Sequence, residues 1–266
     1  MWTGFEDVVI HKKIVGEDSI IILGQWKENK MVFKLTKAKQ ANGTFMENVY
    51  RQFHTKPFPA YVMFGNNYQT DILMDNKMYK MIAYPYMSCV RKTKVNAKTA
   101  ASVVSPLVML HRVFFPHETS VYSPNIKSSY KISNKILMHI GDTTLAKTYD
   151  SMQFLTGNNL LHGDYRLDNI LDDGLFIIDL EDATIGPPEY DIGRLIQSVL
   201  WETNCSDGIE QLISKYEQIS LRKINRLYVG CAAILRLSHR LRMDRIELSD
   251  IRIRKFAESI KQMITQ

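Results

Sequence analysis

The first part of the chain has the residue pattern of β-strands. Apolar and β-branched residues fill Val8–Val15, Ser19–Gln25 and Met31–Leu35. The turn-forming runs Gly16–Asp18 and Lys27–Lys30 separate these three segments. The pattern therefore predicts three consecutive strands joined by short turns, the arrangement of an antiparallel sheet.

One helix and two further strands complete this region. The helix is predicted over Gly43–His54, and the strands over Ala60–Phe64 and Lys77–Tyr84. The polar segment Gly65–Asn76 lies between these two strands. Because a proline cannot continue a central strand, Tyr84–Met87 ends the strand-forming part of the chain.

The rest of the chain has mainly helical periodicity. Helices are predicted over Lys98–Phe115 and Lys135–Leu155, with a Ser- and Pro-containing loop at Phe115–Ser133 between them, and almost everywhere beyond Asp191. The face of the first helix consists of Val104, Leu107, Val108, Leu110 and His111. The element order predicts an α+β protein with two lobes: residues 1–87 form a small antiparallel β lobe with one helix, and residues 88–266 a larger, mainly helical lobe.

Composition adds little to this prediction. The 266 residues are 45% hydrophobic and 23% charged, which excludes intrinsic disorder, and 13 Gly and 8 Pro exclude a collagenous chain. The net charge of +6 permits a polyanionic partner without establishing one, and we expect no nucleic acid partner. The three cysteines are far apart in sequence, which argues against a disulfide framework and a cysteine zinc site.

The expected location is the cytoplasm. The first seven residues lack the basic and apolar segments of a signal peptide. No run of residues approaches the roughly 18 consecutive apolar positions that a membrane span requires, so we expect no membrane partner.

One window has an unusual charge. Between Asp150 and Asp191 the chain holds ten acidic residues and one basic residue, Arg166. Some of these acids follow apolar strand sequence, as Asp179 follows Leu175–Ile178. A carboxylate at the end of a buried strand costs several kcal/mol unless it is paired, hydrogen-bonded or bound to a cation. The window therefore predicts a bound cation.

A predicted hairpin places two oxygen ligands together. Asp173-Gly174 between two apolar runs is a strong hairpin signal, and with these two residues as the loop, Asn169 faces Ile178. Asn169 and Asp179 then lie at the same open end of the hairpin. Magnesium prefers oxygen ligands and takes one or two from the protein, with substrate phosphates and water completing the set. Asp164, five residues before Asn169, can orient an acceptor hydroxyl and take its proton.

These residues resemble a known family. His162-Gly163-Asp164, Asn169, Ile177-Ile178-Asp179 and the run Pro188–Arg194 are similar to the aminoglycoside phosphotransferase and choline kinase superfamily. Its members are small-molecule kinases with the two-lobed protein-kinase-like fold. The closest part of the resemblance covers Leu160–Leu195, about 35 residues.

The resemblance implies roles for five residues of the larger lobe. Asp164 is the catalytic base, and Asn169 and Asp179 hold magnesium. Asp191 braces the catalytic loop through hydrogen bonds to the backbone near His162, and His162 itself is structural. The pair Leu110-His111 also resembles one that the family often has at the end of its first large-lobe helix.

The resemblance also makes residues 1–87 the nucleotide-binding lobe. Lys34 matches the strand lysine that contacts the α- and β-phosphates, with Glu47 as its helix partner. Lys34 can instead be an edge-strand lysine that prevents aggregation. The backbone and hydroxyl of Ser19, in the first hairpin, can cover phosphates, and Tyr84 and Tyr86 belong to a segment whose backbone binds adenine.

Departures from protein kinases indicate the class of acceptor. The chain has no G-x-G-x-x-G loop, and glycine stands between His162 and Asp164 where protein kinases have arginine. About eleven residues separate Asp179 from Asp191, too few for a segment that docks a peptide. A small-molecule hydroxyl is therefore the favoured acceptor.

The acceptor itself stays open between several compounds. By resemblance, its contacts come from the segment after Asp191, where the candidates are Trp201, Glu202, Asp207, Glu247 and Asp250. An aromatic ring beside a carboxylate suits an amine or quaternary ammonium. Thirteen basic residues against nine acidic ones between Asp191 and Gln266 disfavour a polycationic antibiotic without excluding it.

The sequence thus predicts an ATP- or GTP-dependent, magnesium-requiring phosphotransferase that acts on a hydroxyl of an antibiotic, sugar, amino alcohol or similar metabolite. One alternative is a nucleotide-binding pseudokinase or interaction module without transfer activity. Another is phosphorylation of a macromolecule. The choice between ATP and GTP, the oligomeric state, and an antibiotic-resistance or metabolic role stay open.

Overall fold

The chain divides into two compact units. The computed structural model describes residues 7–16, 19–37, 43–53, 58, 60–87, 95, 97–113, 130–152, 157–171, 176–203, 206, 208–243 and 251–266. The first unit comprises Met1–Cys89 and Leu175–Ile178, and the second comprises Val90–Gly174 and Asp179–Gln266. The predicted lobe boundary, between residues 87 and 88, lies two residues before this division.

The first unit contains a five-stranded antiparallel sheet. Its strand order is β1-β2-β3-β5-β4, and each pair of neighbours is antiparallel. The strands and the single helix are β1 (Val8–Val15), β2 (Ser19–Trp26), β3 (Asn29–Lys37), α1 (Gly43–Gln52), β4 (Thr70–Met74) and β5 (Lys77–Pro85). The buried centre of the sheet includes Ile22, Phe33, Leu35 and Met81. The antiparallel lobe with one helix is therefore present.

The fifth strand differs from its predicted position. The prediction of a strand over Ala60–Phe64 is wrong: Val62 donates one backbone hydrogen bond to Ala83, and Phe64 forms an isolated bridge with Asn67. The strand is β4, inside the segment read as a polar connection. Asp75 and Asn76 adopt φ values of 52° and 60°, the left-handed pair of a tight hairpin turn. This turn sets β4 beside β5.

The second unit is mainly helical. Its helices are α2 (Ala97–His111), α3 (Tyr130–Ile140), α4 (Thr143–Ser151), α5 (Glu189–Thr203), α6 (Ile209–Ser220), α7 (Arg226–Met243) and α8 (Ile251–Thr265). The strands β6 (Asn159–Leu161) and β9 (Thr184–Gly186) pair antiparallel. The predicted apolar face of α2 is buried, including His111. None of the described helices is long and apolar enough to cross a membrane.

The predicted helix over Lys135–Leu155 is two helices. Gly141 has a φ of 70°, which ends α3, and the Asp142 side chain accepts the Leu145 amide at 2.8 Å as the N-cap of α4. Helix α3 also begins at Tyr130, inside the predicted loop Phe115–Ser133. A glycine followed by a capping aspartate is thus the signal that separates these helices.

Both strands of the predicted hairpin are present. They are β7 (Ile170–Leu171) and β8 (Phe176–Ile177), on either side of the Asp173-Gly174 step. The turn itself lies outside the described residues. Short 3-10 helices flank the two strands: Leu167–Asn169 precedes β7, and Leu180–Asp182 follows β8.

Candidate active site

The catalytic loop predicted from the sequence runs from β6 to β7, and a buried carboxylate holds its start. Asp191, in the first turn of α5, is 1% exposed. Its Oδ2 accepts the His162 backbone amide at 2.7 Å, and its Oδ1 accepts the Gly163 amide at 3.0 Å. These two hydrogen bonds fix the backbone immediately before Asp164. This is the geometry that the bracing role of Asp191 requires.

A chain of buried polar groups supports Asp191 from the other side. His111 lies with Nε2 3.1 Å from the Asp191 carboxylate and Nδ1 2.8 Å from the Tyr216 hydroxyl. Burial raises the pKa of Tyr216, so this hydroxyl keeps its proton and can donate it to Nδ1. The Leu110-His111 pair singled out in the sequence thus orients the carboxylate that holds the catalytic loop.

The ionisation of Asp191 makes the stability of the fold depend on pH. Burial by itself would raise the pKa of Asp191, but hydrogen bonds from His111 and the His162 backbone outweigh burial and lower it below 3.8. A lowered folded-state pKa means that this carboxylate stabilises the fold above its unfolded-state pKa. The stabilisation is lost as the pH falls through the lower, folded-state value.

We therefore expect Asp191→Asn to lower the free energy of unfolding by about 3 kcal/mol at pH 7, because a buried charged network is broken. Urea denaturation at pH 3 to 7 would measure the difference, which should shrink towards the acidic end. Asp150→Asn, on an exposed position of α4, is the matched control and should change little. An equal loss in both variants at pH 7 would remove the bracing role.

Gly163 is required by its backbone conformation. Its φ is 79°, and a Cβ at this position would collide with the backbone carbonyl of Asp182. The sequence comparison with protein kinases noted glycine in place of arginine here. The structure supplies a physical reason for it, because no side chain fits between the loop and Asp182.

Gly163→Ala is therefore expected to cost about 3 kcal/mol or more, with loss of activity, since left-handed strain and a backbone collision act together. Gly141→Ala is the matched control, since Gly141 has a φ of 70° but no described atom lies within 4 Å of the added Cβ. It should cost only about 1 to 2 kcal/mol, from backbone strain alone. Thermal unfolding of the two variants side by side measures the difference.

The Asp164 side chain is held by arginine. Its Oδ1 accepts the Arg194 Nε at 2.5 Å, and the same oxygen lies 3.7 Å from a terminal nitrogen of Arg236. In the described part of the chain, the ion pairs of Asp164 all involve Oδ1. The second oxygen, Oδ2, is therefore the atom that can accept a hydrogen bond from an acceptor hydroxyl.

One face of α5 fixes the whole loop. Asp191, Arg194 and Ser198 lie at helical spacings i, i+3 and i+7, so they share a face. Asp191 binds the backbone at residues 162 and 163, Arg194 binds Asp164, and Ser198 Oγ accepts the Leu167 amide at 3.1 Å. Of these three, our sequence analysis found only Asp191. The sequence shows the helical spacing of these three residues, but it does not show which atoms of the loop they bind.

Helix α7 reaches the loop because α5 carries a glycine where they cross. A Cβ on Gly193 would lie 2.6 Å from both the Ala232 Cβ and the Val229 carbonyl oxygen. Such a separation is far too short for any larger residue. The close crossing brings Arg236, one turn after Ala232, beside Asp164.

The two predicted magnesium ligands have suitable chemistry. The Asn169 side chain is 7% exposed, and its Nδ2 donates to the Asp164 carbonyl at 2.9 Å, which leaves the amide oxygen as an electron-pair donor. Asp179 caps the 3-10 helix Leu180–Asp182 with a left-handed backbone, φ 71°. Such backbone strain in a non-glycine residue is common at functional sites.

The donors are thus an amide oxygen and a carboxylate, which fit a magnesium ion. No group of three or more His, Cys, Asp or Glu side chains that could hold a metal occurs among the described residues. A two-ligand magnesium site needs no such group, because phosphates and water supply the other positions.

In the first unit, Lys34 and Glu47 occupy the expected elements. Lys34 lies on β3, largely buried, and Glu47 lies on α1. The Glu47 carboxylate accepts the backbone amides of Tyr68, at 2.8 and 2.9 Å, and Gln69, at 3.2 Å. It therefore fixes the segment that leads into β4, a role that sequence reasoning missed. The pairing of Glu47 with Lys34 stays a prediction.

The other predicted nucleotide contacts are placed on the same sheet. Ser19 begins β2, and its carbonyl accepts the Gly16 amide at 2.8 Å. Tyr84 is buried on β5, whereas Tyr86 is exposed just beyond it. The Tyr86 amide donates to the Lys30 carbonyl at 2.8 Å, so this N–H is already engaged by the sheet. Adenine binding by this segment stays a prediction.

The predicted acceptor contacts near Trp201 have arginine partners. The guanidinium of Arg252 lies 4.4 Å from the centre of the buried Trp201 ring, and that of Arg240 lies 5.9 Å away. The Arg240 Nη1 is also 3.5 Å from Glu202 Oε1. The aromatic ring and the carboxylate thus already bind cations of the protein itself, which disfavours them as an amine site. Asp207, Glu247 and Asp250 lie outside the described residues.

A cavity of about 230 Å³ lies beside the catalytic loop, within the second unit. Its charged lining consists of Arg166, Arg194, Arg236, Arg240 and Glu202. Two of these arginines, Arg194 and Arg236, are the ones that contact Asp164. Among the described residues, four of the five charged residues that line the cavity beside the predicted base are therefore cations, which the sequence did not predict.

Comparison with known proteins supports the sequence resemblance. Residues 158–220 match the model of the phosphotransferase enzyme family. This segment contains the catalytic loop, both predicted magnesium ligands and the bracing face of α5. No curated protein matches the chain.

Solved structures show the same fold. A microcompartment-associated aminopropanol kinase is 13% identical with a TM-score of 0.63, covering 99% of this chain and 92% of that one. An amicoumacin kinase in complex with AMP-PNP is 11% identical with a TM-score of 0.66, covering 97% and 89%. A spectinomycin phosphotransferase in complex with ADP and spectinomycin is 15% identical with a TM-score of 0.63, covering 95% and 89%.

The predicted two-lobed, kinase-like α+β fold is therefore confirmed. The match of residues 158–220 to the phosphotransferase enzyme family confirms the resemblance to the aminoglycoside phosphotransferase superfamily and the class of enzyme, a phosphotransferase. The role of each site residue, the metal and the acceptor stay predictions.

Proposed function

We propose that this chain, whose catalytic segment matches the phosphotransferase enzyme family, transfers the γ-phosphate of a nucleoside triphosphate to a hydroxyl group of a small molecule. One observation carries the proposal. The Asp191 carboxylate and Arg194 on α5 fix the loop at His162–Asp164, so that a carboxylate is presented at a defined position next to a cavity. That is what in-line transfer to a small acceptor requires.

In the reaction, the acceptor oxygen forms a bond to the γ-phosphorus while the bond from that phosphorus to the β,γ-bridging oxygen breaks. The nucleoside diphosphate is the leaving group. Asp164 orients the hydroxyl through Oδ2 and takes up its proton, which then passes to solvent. Arg194 keeps the carboxylate in place during this step, because it binds the other oxygen.

We assign Asn169 and Asp179 as the ligands of a magnesium ion, which would neutralise the charge of the phosphates. Asn169 supports Asp164 at the same time, because its amide nitrogen donates to the Asp164 carbonyl. We assign Lys34, by resemblance, to the α- and β-phosphates. Neighbouring structures were solved with AMP-PNP or ADP, so ATP is the proposed donor, with GTP as the alternative.

The direct test is a transfer assay with ATP labelled at the γ-phosphate. The purified chain would be incubated with magnesium and pooled hydroxyl compounds, and labelled products would be separated by chromatography. We expect acceptor-dependent product that disappears when EDTA removes the metal. Nucleotide binding without transfer to any pool would favour the pseudokinase alternative instead, and label on macromolecules would favour protein or nucleic acid as acceptor.

A further inference from the structure

We propose that the acceptor is a small hydroxyl compound that carries an oxyanion, a carboxylate or a phosphate, and that the arginine-lined cavity beside Asp164 binds this group. The proposal rests on the proposed function, since it names the substrate class of the same site. Arg166, Arg194, Arg236 and Arg240 line this cavity, the arginine pocket.

The arginine pocket lies where an acceptor must bind. A hydroxyl that reacts must lie within hydrogen-bond reach of Asp164, so the rest of a compact acceptor lies within a few ångströms of this residue. The arginine pocket meets that condition, because Arg194 and Arg236 both line it and both contact Asp164 Oδ1. A volume of about 230 Å³ suits a compact metabolite.

The charges that line the arginine pocket favour an anion. Four guanidinium groups line the arginine pocket, and three carboxylates of described residues contact them. Arg166 pairs with Asp168 and Arg194 with Asp164. Arg240 lies 3.5 Å from Glu202 Oε1, an ion pair without a hydrogen bond between described residues.

Arg236 is the fourth cation of the pocket. In the part of the chain that the structure describes, its ion-pair partner is Asp164 Oδ1, at 3.7 Å, which is beyond hydrogen-bond distance and is already bound by Arg194. Among the described residues, the pocket therefore has one more cation than anion. The charge of Asp182 also acts on Arg236, and the charge of Arg242 acts on His239. Because one is an anion and the other a cation, they leave the difference between cations and anions unchanged.

The surplus charge perturbs the side chains around it. Burial, together with the charge of Arg194, lowers the pKa of Arg236 to about 10. Burial also lowers the pKa of His239, and the charges of Arg236 and Arg242 add to this effect. Cations that destabilise one another in this way bind an anion more strongly than an isolated arginine does.

Hydrogen-bond donors also favour an anion. The residues Arg166 and Gln197 line the arginine pocket, and Arg166 Nε and the side-chain nitrogen of Gln197 are buried donors with no acceptor among the described residues. Buried donors are almost always paired in folded proteins. After a rotation of either side chain, a carboxylate or phosphate oxygen supplies the missing acceptor. Guanidinium groups also match the planar and tetrahedral geometry of these oxyanions better than any other side chain does.

The experiment uses four acceptors with one three-carbon core: glycerol, glycerate, glycerol 3-phosphate and 3-amino-1,2-propanediol. Their binding to the full chain, saturated with magnesium and a non-hydrolysable ATP analogue, would be measured by calorimetry, with inorganic phosphate as a minimal probe. The kcat/KM of transfer would be measured on the same panel. We expect the two anionic compounds to bind at least about tenfold more tightly than the neutral and amine compounds, because they use charged hydrogen bonds.

Arg236→Gln should weaken binding of the anionic compounds by about 10- to 100-fold, since it removes the surplus cation. Binding of glycerol and of nucleotide should not change. Arg236→Lys, which keeps the charge, should restore part of the affinity and guards against a folding defect. The matched control is Arg254→Gln, at an exposed position of α8, which should behave like the wild-type protein.

Several outcomes overturn the inference. Equal or tighter binding of the neutral or amine compound does so, and so does anion binding that Arg236→Gln leaves unchanged. The inference is also rejected if phosphate and both anionic compounds bind no better than glycerol. It is rejected as well if Arg236→Gln weakens nucleotide binding and leaves anion binding unchanged. Transfer to neutral or amine acceptors would keep the proposed function and reject the arginine pocket. Anion binding through Arg236 without any transfer would keep the pocket and reject the proposed function.

Discussion

Asp164→Asn is expected to lower kcat by about 10²- to 10⁴-fold, because asparagine cannot take up the proton of the acceptor hydroxyl. The affinity for nucleotide should stay within about threefold of the wild-type value, since Asp164 is not proposed as a metal ligand. Single-turnover transfer with labelled ATP measures the first quantity, and calorimetry with a non-hydrolysable analogue measures the second. A large loss of kcat with little change in nucleotide affinity is expected of a group that acts on the acceptor.

The variant needs a control for structure, because Asp164 also pairs with Arg194. Asp142→Asn makes the same chemical change at the N-cap of α4, where asparagine caps as well as aspartate. It should keep full activity. Thermal unfolding of both variants shows whether the lost ion pair destabilises the fold. An Asp164→Asn protein that turns over at the wild-type rate would contradict the assignment of this residue.

Asp179→Ala is expected to act on binding instead. Loss of residues around metal ligands typically weakens metal affinity 10- to 100-fold, so loss of a ligand itself should weaken magnesium-dependent nucleotide binding by at least about 100-fold. Binding of nucleotide in EDTA should change much less. Calorimetric titration of ATP with and without magnesium gives both values. A uniform loss under the two conditions would argue against metal binding by Asp179.

The left-handed backbone of Asp179 complicates an alanine at this position. With a φ of 71°, alanine adds strain that asparagine does not, because asparagine tolerates this conformation. Asp179→Asn should therefore weaken metal binding while it keeps the fold. Asp75→Ala, at a φ of 52° in the turn between β4 and β5, measures the strain together with the loss of an exposed ion pair to Lys13, and it should leave nucleotide binding unchanged.

Much of the fold could be predicted because its signals are local. The turn at Lys27 and Glu28 has φ values of 47° and 68°, and the flanking apolar runs made its strands visible. The strand Thr70–Met74 was missed although the Asp75-Asn76 turn signal follows it directly. The strand is only five residues long, and the polar residues Gly65–Asn67 before it and Asp75-Asn76 after it make the whole segment look like a connection. The break at Gly141 was missed because helical periodicity continues on both sides.

The residues of the candidate site also fall into two groups, those with a local signal in the sequence and those that only packing brings together. Asp164, Asn169, Asp179 and Asp191 could be proposed as site residues from the sequence because they lie within one short segment at spacings that chemistry constrains. Arg236 could not, because it comes from a helix more than forty residues further along the chain. Its contact with Asp164 depends on the crossing of α5 and α7, which in turn depends on a single glycine at position 193. Side chains that come from such packing leave no pattern in the sequence.

The charge of the acceptor site illustrates the same limit. Counts over the C-terminal part of the chain showed a modest excess of basic residues, and this excess disfavoured a polycationic antibiotic. They could not show that four arginines line one cavity, or that Arg240 and Arg252 cover Trp201. The amine site imagined around Trp201 and Glu202 was a reasonable prediction from neighbouring residues. Arginines contact both residues, and a role for them in acceptor binding stays a prediction.

The most direct measurement is a crystal structure of the chain with magnesium and a non-hydrolysable ATP analogue. We predict an ion with the side-chain oxygens of Asn169 and Asp179 about 2.0 to 2.1 Å away. The γ-phosphate should face Asp164, whose Oδ2 is not a ligand. A nucleotide bound elsewhere, with these three side chains turned away from its phosphates, would contradict phosphoryl transfer at this loop.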